Sequence, residues 1–254
     1  MPIKMIATDL DGTLLHTDKT ISEYTAAVFR RYREKGTKIV FATARPIRAL
    51  GILDRLPDKD AAIYHNGAVI EIEHRIHRNI GIDPVTTKRL LLQAVERFGG
   101  LQTSVEIDDT LYANFDVSTI WSNTTAVLTD FTDIPGMPSD KIIFCTSDRR
   151  IIDEINKMLT DDLYTDIVEN LILMVMNKHA RKRNAVMEIA EYFGISLSDV
   201  VVFGDDYNDI EMLRDCGTGV AVANAVDEAK AVADHICGSN DNDGVAKWLE
   251  GLEV

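Results

Sequence analysis

Short apolar runs alternate with helical patterns at both ends of this 254-residue chain. Near its start, β-type runs at residues 3–7, 37–42 and 61–64 are separated by helical segments, and after residue 180 the same alternation returns. Strands and helices in turn are typical of a parallel sheet that is covered by helices on both faces. We therefore predict an α/β fold whose core is a Rossmann-like, doubly wound parallel sheet.

Local signals predict where several helices begin and end. Thr20 and Glu23 have the spacing of a capping box before the first helix, and Gly36 is predicted to end that helix. Asp148 is placed to cap a later helix. The acidic loop at residues 240–243 is predicted to be a helix-capping turn, with a metal-binding loop as the alternative.

A different pattern occupies residues 83–179, where helices are predicted at residues 85–98 and 149–159. Strand-like runs accompany them at residues 103–107, 111–115, 141–145, 164–168 and 171–176. This mixture is typical of an α+β domain, and its length of about a hundred residues is that of a folding unit. We predict a core of residues 1–82 and 180–254 with an inserted α+β domain at residues 83–179.

The first apolar run ends at two aspartates that are separated by one residue, Asp9 and Asp11. If residues 3–7 form a buried strand, both carboxylates lie at its carboxyl end, where α/β sheets bind ligands. Gly12 permits a tight turn whose backbone N–H groups can face an anion. We interpret the stretch as two acids beside a phosphate-sized cradle, with an acidic turn that only ends a strand as the alternative.

The charge of the chain restricts the partners that it can bind. A formal net charge of −14 argues against a surface for nucleic acid or for an anionic membrane, because such surfaces need clustered Lys and Arg. An anionic substrate then requires a cation or local basic residues in the pocket. Three scattered cysteines, together with the lack of a secretory or membrane-spanning pattern, predict a cytoplasmic protein. No oligomeric state is predicted.

Three polar stretches directly follow predicted strands, at residues 9–13, 43–45 and 205–209. The ends of parallel strands meet in one crevice, so four acids are expected to crowd there. These acids are Asp9, Asp11, Asp205 and Asp209. At about 4 Å, each pair of like charges costs on the order of 4 kcal/mol at an effective dielectric constant near 20. Protonation or a bound cation relieves this cost, and an all-oxygen set of donors suits Mg²⁺.

The order of these motifs resembles that of the haloacid dehalogenase superfamily. The matching residues are Asp9-Leu10-Asp11-Gly12-Thr13, then Thr43, then a lysine, then Gly204-Asp205 with Asn208-Asp209. The inserted domain is similar to the α/β cap of the Cof-type phosphatase branch of this superfamily. Asn66-Gly67 and the terminal Asn242-Asp243-Gly244-Val245 are also similar to that branch. The resemblance thus implies a catalytic core with an α/β cap domain.

The resemblance also implies the roles of the acids. Asp9 is implied to be the nucleophile that forms an aspartyl phosphate, and Asp11 to be the general acid and then the general base. Thr43 is implied to donate to the phosphoryl oxygens. Mg²⁺ is implied to bind Asp9, Asp205 and the backbone carbonyl of Asp11. Asp209 is implied to support the ion directly or through water.

The lysine of the motif set is assigned to Lys182, because the superfamily places this residue just after the cap. Lys178 is the alternative candidate, and a solvated basic helix start is the interpretation without a catalytic role. Arg183 and Asn184 depart from the family pattern, which commonly has a glycine and a small residue at these positions.

Five residues are assigned to the substrate side of the site. They are Gly12, Ala44, Arg45, Asn66 and Asn208. Ala44 stands where the superfamily more often has glycine. Arg45 either contacts substrate or pairs with an acid, and Asn66 either binds substrate or shapes a turn with Gly67.

The predicted function is a Mg²⁺-dependent phosphatase for small phosphorylated metabolites, with sugar phosphates as the expected class. A closing cap would exclude water and select the leaving group. The alternatives are a phosphomutase of the same superfamily and a phosphoaspartate regulatory or binding protein. A regulatory aspartyl phosphate must persist, and the second acid at Asp11 favours rapid turnover instead.

Overall fold

A computed structural model of the chain describes residues 3–50, 56–122, 124–168 and 171–252. The strands are β1 (Met5–Thr8), β2 (Lys38–Ala42), β3 (Ala61–Tyr64), β4 (Val69–Ile72), β5 (Arg75–Asn79), β6 (Thr103–Ile107), β7 (Thr110–Ala113), β8 (Val127–Leu128), β9 (Ser139–Cys145), β10 (Leu163–Val168), β11 (Ile172–Asn177), β12 (Val200–Gly204), β13 (Thr218–Ala221) and β14 (His235–Ile236). The helices are α1 (Glu23–Glu34), α2 (Ile47–Leu50), α3 (Pro84–Arg97), α4 (Arg149–Met158), α5 (Lys182–Tyr192), α6 (Ile210–Asp215), α7 (Asp227–Val232) and α8 (Gly244–Glu250).

The chain divides into two compact units. They correspond to the two sequence patterns, the alternating strands and helices and the α+β mixture. The first unit contains Met1–Arg78 and Arg181–Val254, and the second contains Asn79–Ala180. The second unit begins a few residues before the predicted boundary at residue 83, where β5 ends at Asn79.

The first unit has an eight-stranded sheet in the order β14-β13-β12-β1-β2-β3-β4-β5. The strands from β14 to β3 are parallel, and β4 pairs antiparallel with β3. β1 is central, and its residues Met5, Ile6 and Ala7 are fully buried, as expected for a strand covered on both faces. β1 has β2 on one side and β12 on the other. The strand order therefore reverses at β1, which is a topological switch point. The predicted doubly wound α/β core is confirmed.

The second unit has a six-stranded sheet in the order β10-β11-β9-β6-β7-β8. Its pairings are antiparallel except for that between β7 and β8. One face packs against α3 and α4, with Leu90, Leu91 and Ile155 among the buried helix residues of that core. This is the α+β arrangement that the mixture of helices and strands predicts.

The observed helix ends confirm one capping prediction and correct two others. Asp148 caps α4 by accepting a hydrogen bond from the backbone N–H of Arg150. Thr20 does not cap α1, because Ser22 immediately precedes the helix and accepts from the N–H of Thr25 at 3.0 Å. Asp243 precedes α8, yet its side chain makes no capping hydrogen bond there. A helix does begin after residues 240–243, but the side chain of Asp243 does not cap it. The prediction of a helix-capping turn is wrong in this respect.

The helix α8 was not predicted, because its seven residues are too few to establish a helical period after the acidic loop. In the described parts of the chain, none of the helices has the length and apolar character that crossing a bilayer requires.

Candidate active site

The acids of the first and third polar stretches meet where β1 and β12 end. Asp9 continues the pairing of these strands, since its backbone N–H donates to the carbonyl of Phe203 at 3.0 Å. One carboxylate oxygen each from Asp9, Asp205 and Asp209 lies within 4.8 Å of the others. Asp9 and Asp209 are buried, and Asp205 is half-buried. The parallel pairing thus brings together acids that are far apart in the sequence.

Gly12 makes the close approach of the two loops possible. Its φ of +84° is unfavourable for other residues, and a Cβ at this position would lie 2.5 Å from Oδ2 of Asp205. The next residue, Thr13, donates its hydroxyl to Oδ1 of Asp205 at 2.5 Å. Gly12 therefore serves to fit the turn against Asp205, which is an additional reason for glycine at this position.

Lys182 lies at the start of α5 and is completely enclosed, with none of its side chain exposed. Its Nζ atom donates to Oδ1 of Asp9 at 2.6 Å and to Oδ1 of Asp209 at 2.8 Å. Burial by itself would lower the pKa of Lys182, but Asp209 and Asp9 reverse this effect and raise it above its ordinary value. Lys178, the alternative candidate, is exposed in the second unit.

Asp209 organises the turn after β12 as well as holding Lys182. Its Oδ2 atom accepts hydrogen bonds from the backbone N–H groups of Asp205 and Asp206, at 3.0 and 3.2 Å. Gly204 allows this contact, because a Cβ there would lie 2.5 Å from the Cβ of Asp209. Both oxygens of Asp209 are thus occupied by protein donors, which favours a supporting role for this acid.

The acids fit a divalent cation. Burial raises the pKa of Asp9 well above its ordinary value, although the Lys182 ammonium opposes the shift. Burial likewise raises the pKa of Asp205 to about 6, against the hydrogen bond from Thr13. Both shifts arise mainly from burial, with a smaller contribution from the neighbouring aspartates, and a bound cation would favour the ionised carboxylates. Since every donor is an oxygen, the set suits a hard ion such as Mg²⁺.

A second ionic cluster surrounds Asp11, which is one-third exposed. Arg45 binds both oxygens of its carboxylate, with Nε and Nη2 each at 2.6 Å, and Lys19 donates to Oδ1 at 2.8 Å. Burial opposes ionisation of Asp11, but the hydrogen bonds from Arg45 and Lys19 outweigh it and lower its pKa to about 2. Of the two interpretations of Arg45, the structure therefore has the one in which it pairs with an acid.

The remaining predicted site residues tie the neighbouring loops together. Thr43 is buried after β2, and its Oγ1 atom accepts from the backbone N–H of Arg45 at 3.1 Å, so its own proton is available to another acceptor. The carbonyl of Thr43 accepts from the N–H of Asn66. Asn208 donates its amide to Oδ1 of Asn66 at 2.9 Å. Ala44, which lies between Thr43 and Arg45, is half-buried.

Three residues near the site had no role in the sequence analysis. Thr13 contacts Asp205, Lys19 contacts Asp11, and Asn224 donates to the carbonyl of Gly12. Thr13 belongs to the first acidic motif and could have been assigned from its position. Lys19 and Asn224 follow no pattern in the sequence, because only the fold brings them close to the motif.

Three known proteins illustrate what this chain is similar to. A family model described as haloacid dehalogenase-like hydrolase matches residues 6–249. YxeH of Bacillus subtilis is 31% identical, with 98% of each chain covered. The 5-amino-6-(5-phospho-D-ribitylamino)uracil phosphatase YitU of Bacillus subtilis is 26% identical over 97% of this chain and 96% of its own. A solved structure of a phosphatase from Bacteroides thetaiotaomicron has a TM-score of 0.87 at 24% identity, covering 99% of this chain and 96% of that one, and so is similar in fold.

Proposed function

Because the chain belongs to the haloacid dehalogenase-like hydrolase family, we propose that it is a Mg²⁺-dependent phosphatase that acts through an aspartyl phosphate on Asp9. The observation that carries the proposal is the buried pair of Asp9 and Lys182 next to Asp205. A carboxylate that is fixed by a buried ammonium, beside oxygen donors for a cation, is suited to attack a phosphate ester.

In the first step, an oxygen of Asp9 attacks phosphorus and the bond from phosphorus to the leaving oxygen breaks. Asp11 donates a proton to that oxygen, so the substrate leaves as an alcohol. In the second step, Asp11 takes a proton from water while the water oxygen attacks phosphorus. The bond between Asp9 and phosphorus breaks, which releases inorganic phosphate and restores the carboxylate.

The other residues act on the charge and the position of the phosphoryl group. Thr43 would donate its hydroxyl to a phosphoryl oxygen, since its Oγ1 already accepts from Arg45. Asp9, Asp205 and the backbone carbonyl of Asp11 would hold Mg²⁺. When bound, the ion would neutralise negative charge on the phosphoryl oxygens. Asp209 would fix the turn that carries Asp205.

The cluster around Asp11 places a condition on this mechanism. Arg45 and Lys19 occupy both oxygens of Asp11, so a proton can be carried there only after one of these oxygens is freed. The phosphoryl oxygens of a substrate compete for the same cations, because a guanidinium group binds phosphate as it binds carboxylate. Substrate binding would thus release Asp11 for proton transfer.

The substrate proposed is a small phosphorylated metabolite, with sugar and polyol phosphates as the expected class. The name of the YitU phosphatase describes a phosphate on a ribityl chain, which is a substrate of this kind. The proposal keeps the predicted cytoplasmic location, which is supported by Cys145, Cys216 and Cys237, all of which are free thiols.

The test is a panel of phosphorylated metabolites assayed with Mg²⁺ for the release of inorganic phosphate. Asp9→Asn should abolish turnover while the variant remains folded, because the amide keeps the shape of the carboxylate. Asp227→Asn is the control, since the side chain of Asp227 is fully exposed. Substantial turnover by Asp9→Asn would remove Asp9 from the role of nucleophile, and an isomerised phosphate ester without free phosphate would indicate a phosphomutase.

A further inference from the structure

We propose that Asn224 and Asn240 are positioning residues that hold the loop after β1 in the conformation needed to bind the cation. The inference rests on the proposed function, and it assigns a role to two residues outside the motifs. We refer to residues 9–20 as the β1 loop and to residues 240–243 as the C-terminal turn.

The two asparagines form a continuous hydrogen-bonded connection to the β1 loop. The side chain of Asn224, which follows β13, donates to the carbonyl of Gly12 at 2.7 Å. Its Oδ1 atom accepts from the backbone N–H of Asn240 at 3.0 Å. The side chain of Asn240 in turn donates to the carbonyl of Leu15 at 3.0 Å. The connection therefore holds the β1 loop at two backbone carbonyls.

Several hydrogen bonds within the loop converge on a single backbone carbonyl. The N–H groups of Thr13, Leu14 and Leu15 all donate to one acceptor, the carbonyl of Leu10. Asn240 is buried, and its bond to Leu15 is enclosed. A buried carbonyl without a donor costs about 1–3 kcal/mol. This cost applies to the carbonyl of Leu15, whereas the bond from Asn224 to the carbonyl of Gly12 is exposed and orients that carbonyl by geometry alone.

The C-terminal turn also binds side chains of the β1 loop and of the start of α1. Oδ1 of Asp243 accepts from Ser22 at 2.5 Å, from Thr25 at 2.9 Å and from Nε2 of His16 at 3.1 Å. Asp241 accepts from the backbone N–H and the hydroxyl of Thr17, at 2.7 and 2.8 Å. This explains why Asp243 does not cap α8. Its carboxylate is directed to the β1 loop and the start of α1.

The consequence for the site follows from the position of Gly12. Glycine has the widest conformational freedom of any residue, and the peptide that joins Asp11 to Gly12 carries the carbonyl proposed to bind Mg²⁺. A rotation at Gly12 would move that carbonyl away from Asp9 and Asp205. The bond from Asn224 restrains Gly12, so it orients a ligand group without contacting the ion itself.

The experiment compares Asn224→Ala and Asn224→Asp with the wild-type protein. The alanine variant loses both hydrogen bonds of the side chain. The aspartate variant keeps the acceptor for Asn240 but loses the donor to Gly12. Its added negative charge would by itself strengthen cation binding, so weaker binding in this variant indicates that the carbonyl of Gly12 is no longer held in place. Asn242→Ala is the matched control, because Asn242 lies in the same turn and donates to Ser239.

The measurements are the dissociation constant for Mg²⁺ by calorimetry without substrate and the Mg²⁺ concentration that gives half-maximal phosphate release. Both should rise about 10- to 100-fold in the two Asn224 variants and in Asn240→Ala, as for other residues that orient metal ligands. Asn242→Ala should stay within about twofold of wild type, a change of about 0.4 kcal/mol. Thermal unfolding without metal verifies that each variant is folded.

The outcomes separate this inference from the proposed function. If wild type binds Mg²⁺ and releases phosphate but the Asn224 variants bind Mg²⁺ as tightly, the positioning role is wrong and the function stands. If Asn224→Asp restores wild-type binding where Asn224→Ala does not, the bond to Asn240 is the one that matters, and the restraint of Gly12 is overturned. If wild type does not bind Mg²⁺, both proposals fail.

Discussion

Two clusters of three charged side chains lie in the candidate site, and they differ in burial. In one, Lys182 holds Asp9 and Asp209, and none of the lysine or Asp209 side chain is exposed. The other cluster consists of Asp11, Arg45 and Lys19. There, 35% of the Asp11 side chain, 21% of Arg45 and 52% of Lys19 are exposed. We refer to them as the buried and the open cluster.

The difference indicates which contacts persist during turnover. Removing one member of a buried ion pair leaves an uncompensated charge in a medium of low dielectric, so the buried cluster is expected to be permanent. In the open cluster, water and dissolved anions reach the charges, and the individual pairs contribute little to stability. An open cluster is therefore suited to exchange partners when a phosphoryl group arrives, whereas the buried cluster fixes the nucleophile.

Lys182→Met is the strongest test of the buried cluster. The change leaves Asp9 and Asp209 without their cation, so the free energy of unfolding should fall by about 3–5 kcal/mol, and phosphate release should be lost. Unfolding in denaturant and the phosphate assay measure the two effects. Lys178→Met is the control, because Lys178 is exposed, and it should change stability by less than about 0.5 kcal/mol. A fully stable Lys182→Met protein would mean that the cluster is not structural.

Arg45→Ala should affect the open cluster in the opposite way, with a large effect on catalysis and a small one on stability. Without Arg45, the phosphoryl group loses the guanidinium proposed to bind it and to position it beside Asp11, and kcat should fall about 10- to 100-fold. Stability should change by less than about 1 kcal/mol, since exposed ion pairs are weak. Arg45→Lys should not restore kcat, because one ammonium group cannot reproduce the bidentate contact.

The control for this prediction is Arg30→Ala, which removes an exposed arginine of α1 in the same unit. Steady-state kinetics and unfolding in denaturant should leave Arg30→Ala close to wild type in both respects. If Arg45→Ala destabilised the protein as much as Lys182→Met does, the distinction between the open and the buried cluster would not hold.

A buried acid in the second unit sharpens the comparison, because it accepts a hydrogen bond from an uncharged amide. Asp140 accepts from the amide of Asn79 at 2.9 Å, and burial raises the pKa of Asp140 to about 6 against that hydrogen bond. The folded state therefore holds the proton more tightly than the unfolded state. Stability should fall as pH rises from about 4 to about 6 and stay lower above that range.

Asp140→Asn should remove this pH dependence and stabilise the protein above pH 6 by about 2 kcal/mol. The measurement is the unfolding temperature at pH 5 and at pH 8. Asp161→Asn is the matched control, because Asp161 is exposed in the same unit. Equal losses of stability between these pH values in wild type and Asp140→Asn would show that the carboxyl of Asp140 does not titrate in this range.

The sequence predicted the superfamily, the α/β core and the phosphatase class, and all three are confirmed. These predictions succeeded because short apolar strands followed by polar motifs have a regular order along the chain. The roles of Asp9, Asp11 and Lys182 stay proposals, although the structure brings Asp9 and Lys182 into direct contact. The second unit was predicted from its mixture of helices and strands and from its similarity to a Cof-type cap, and neither identifies a substrate.

Other features could not be predicted because they depend on contacts between distant segments. The pairing of Arg45 with Asp11 depends on the distance between two loops, which no local pattern encodes. Asn224 is a single asparagine in a loop, and its role depends on how β13 lies in the sheet. The wrong capping prediction at Thr20 has a local cause instead, since the hydroxyl of Thr20 donates to Asp18, two residues earlier, and Ser22 caps the helix.

The central position of β1 has a consequence for the synthesis of the protein. β1 pairs with β2 early in the chain but also with β12, and the hydrogen bond between Thr13 and Asp205 joins residues that are 192 positions apart. Contacts of such separation form late in folding, because a long loop must close first. During synthesis, Asp9 therefore lacks its contacts with Lys182, Asp205 and Asp209 until most of the chain has left the ribosome. The site can assemble only after the chain has been synthesised past Asp209.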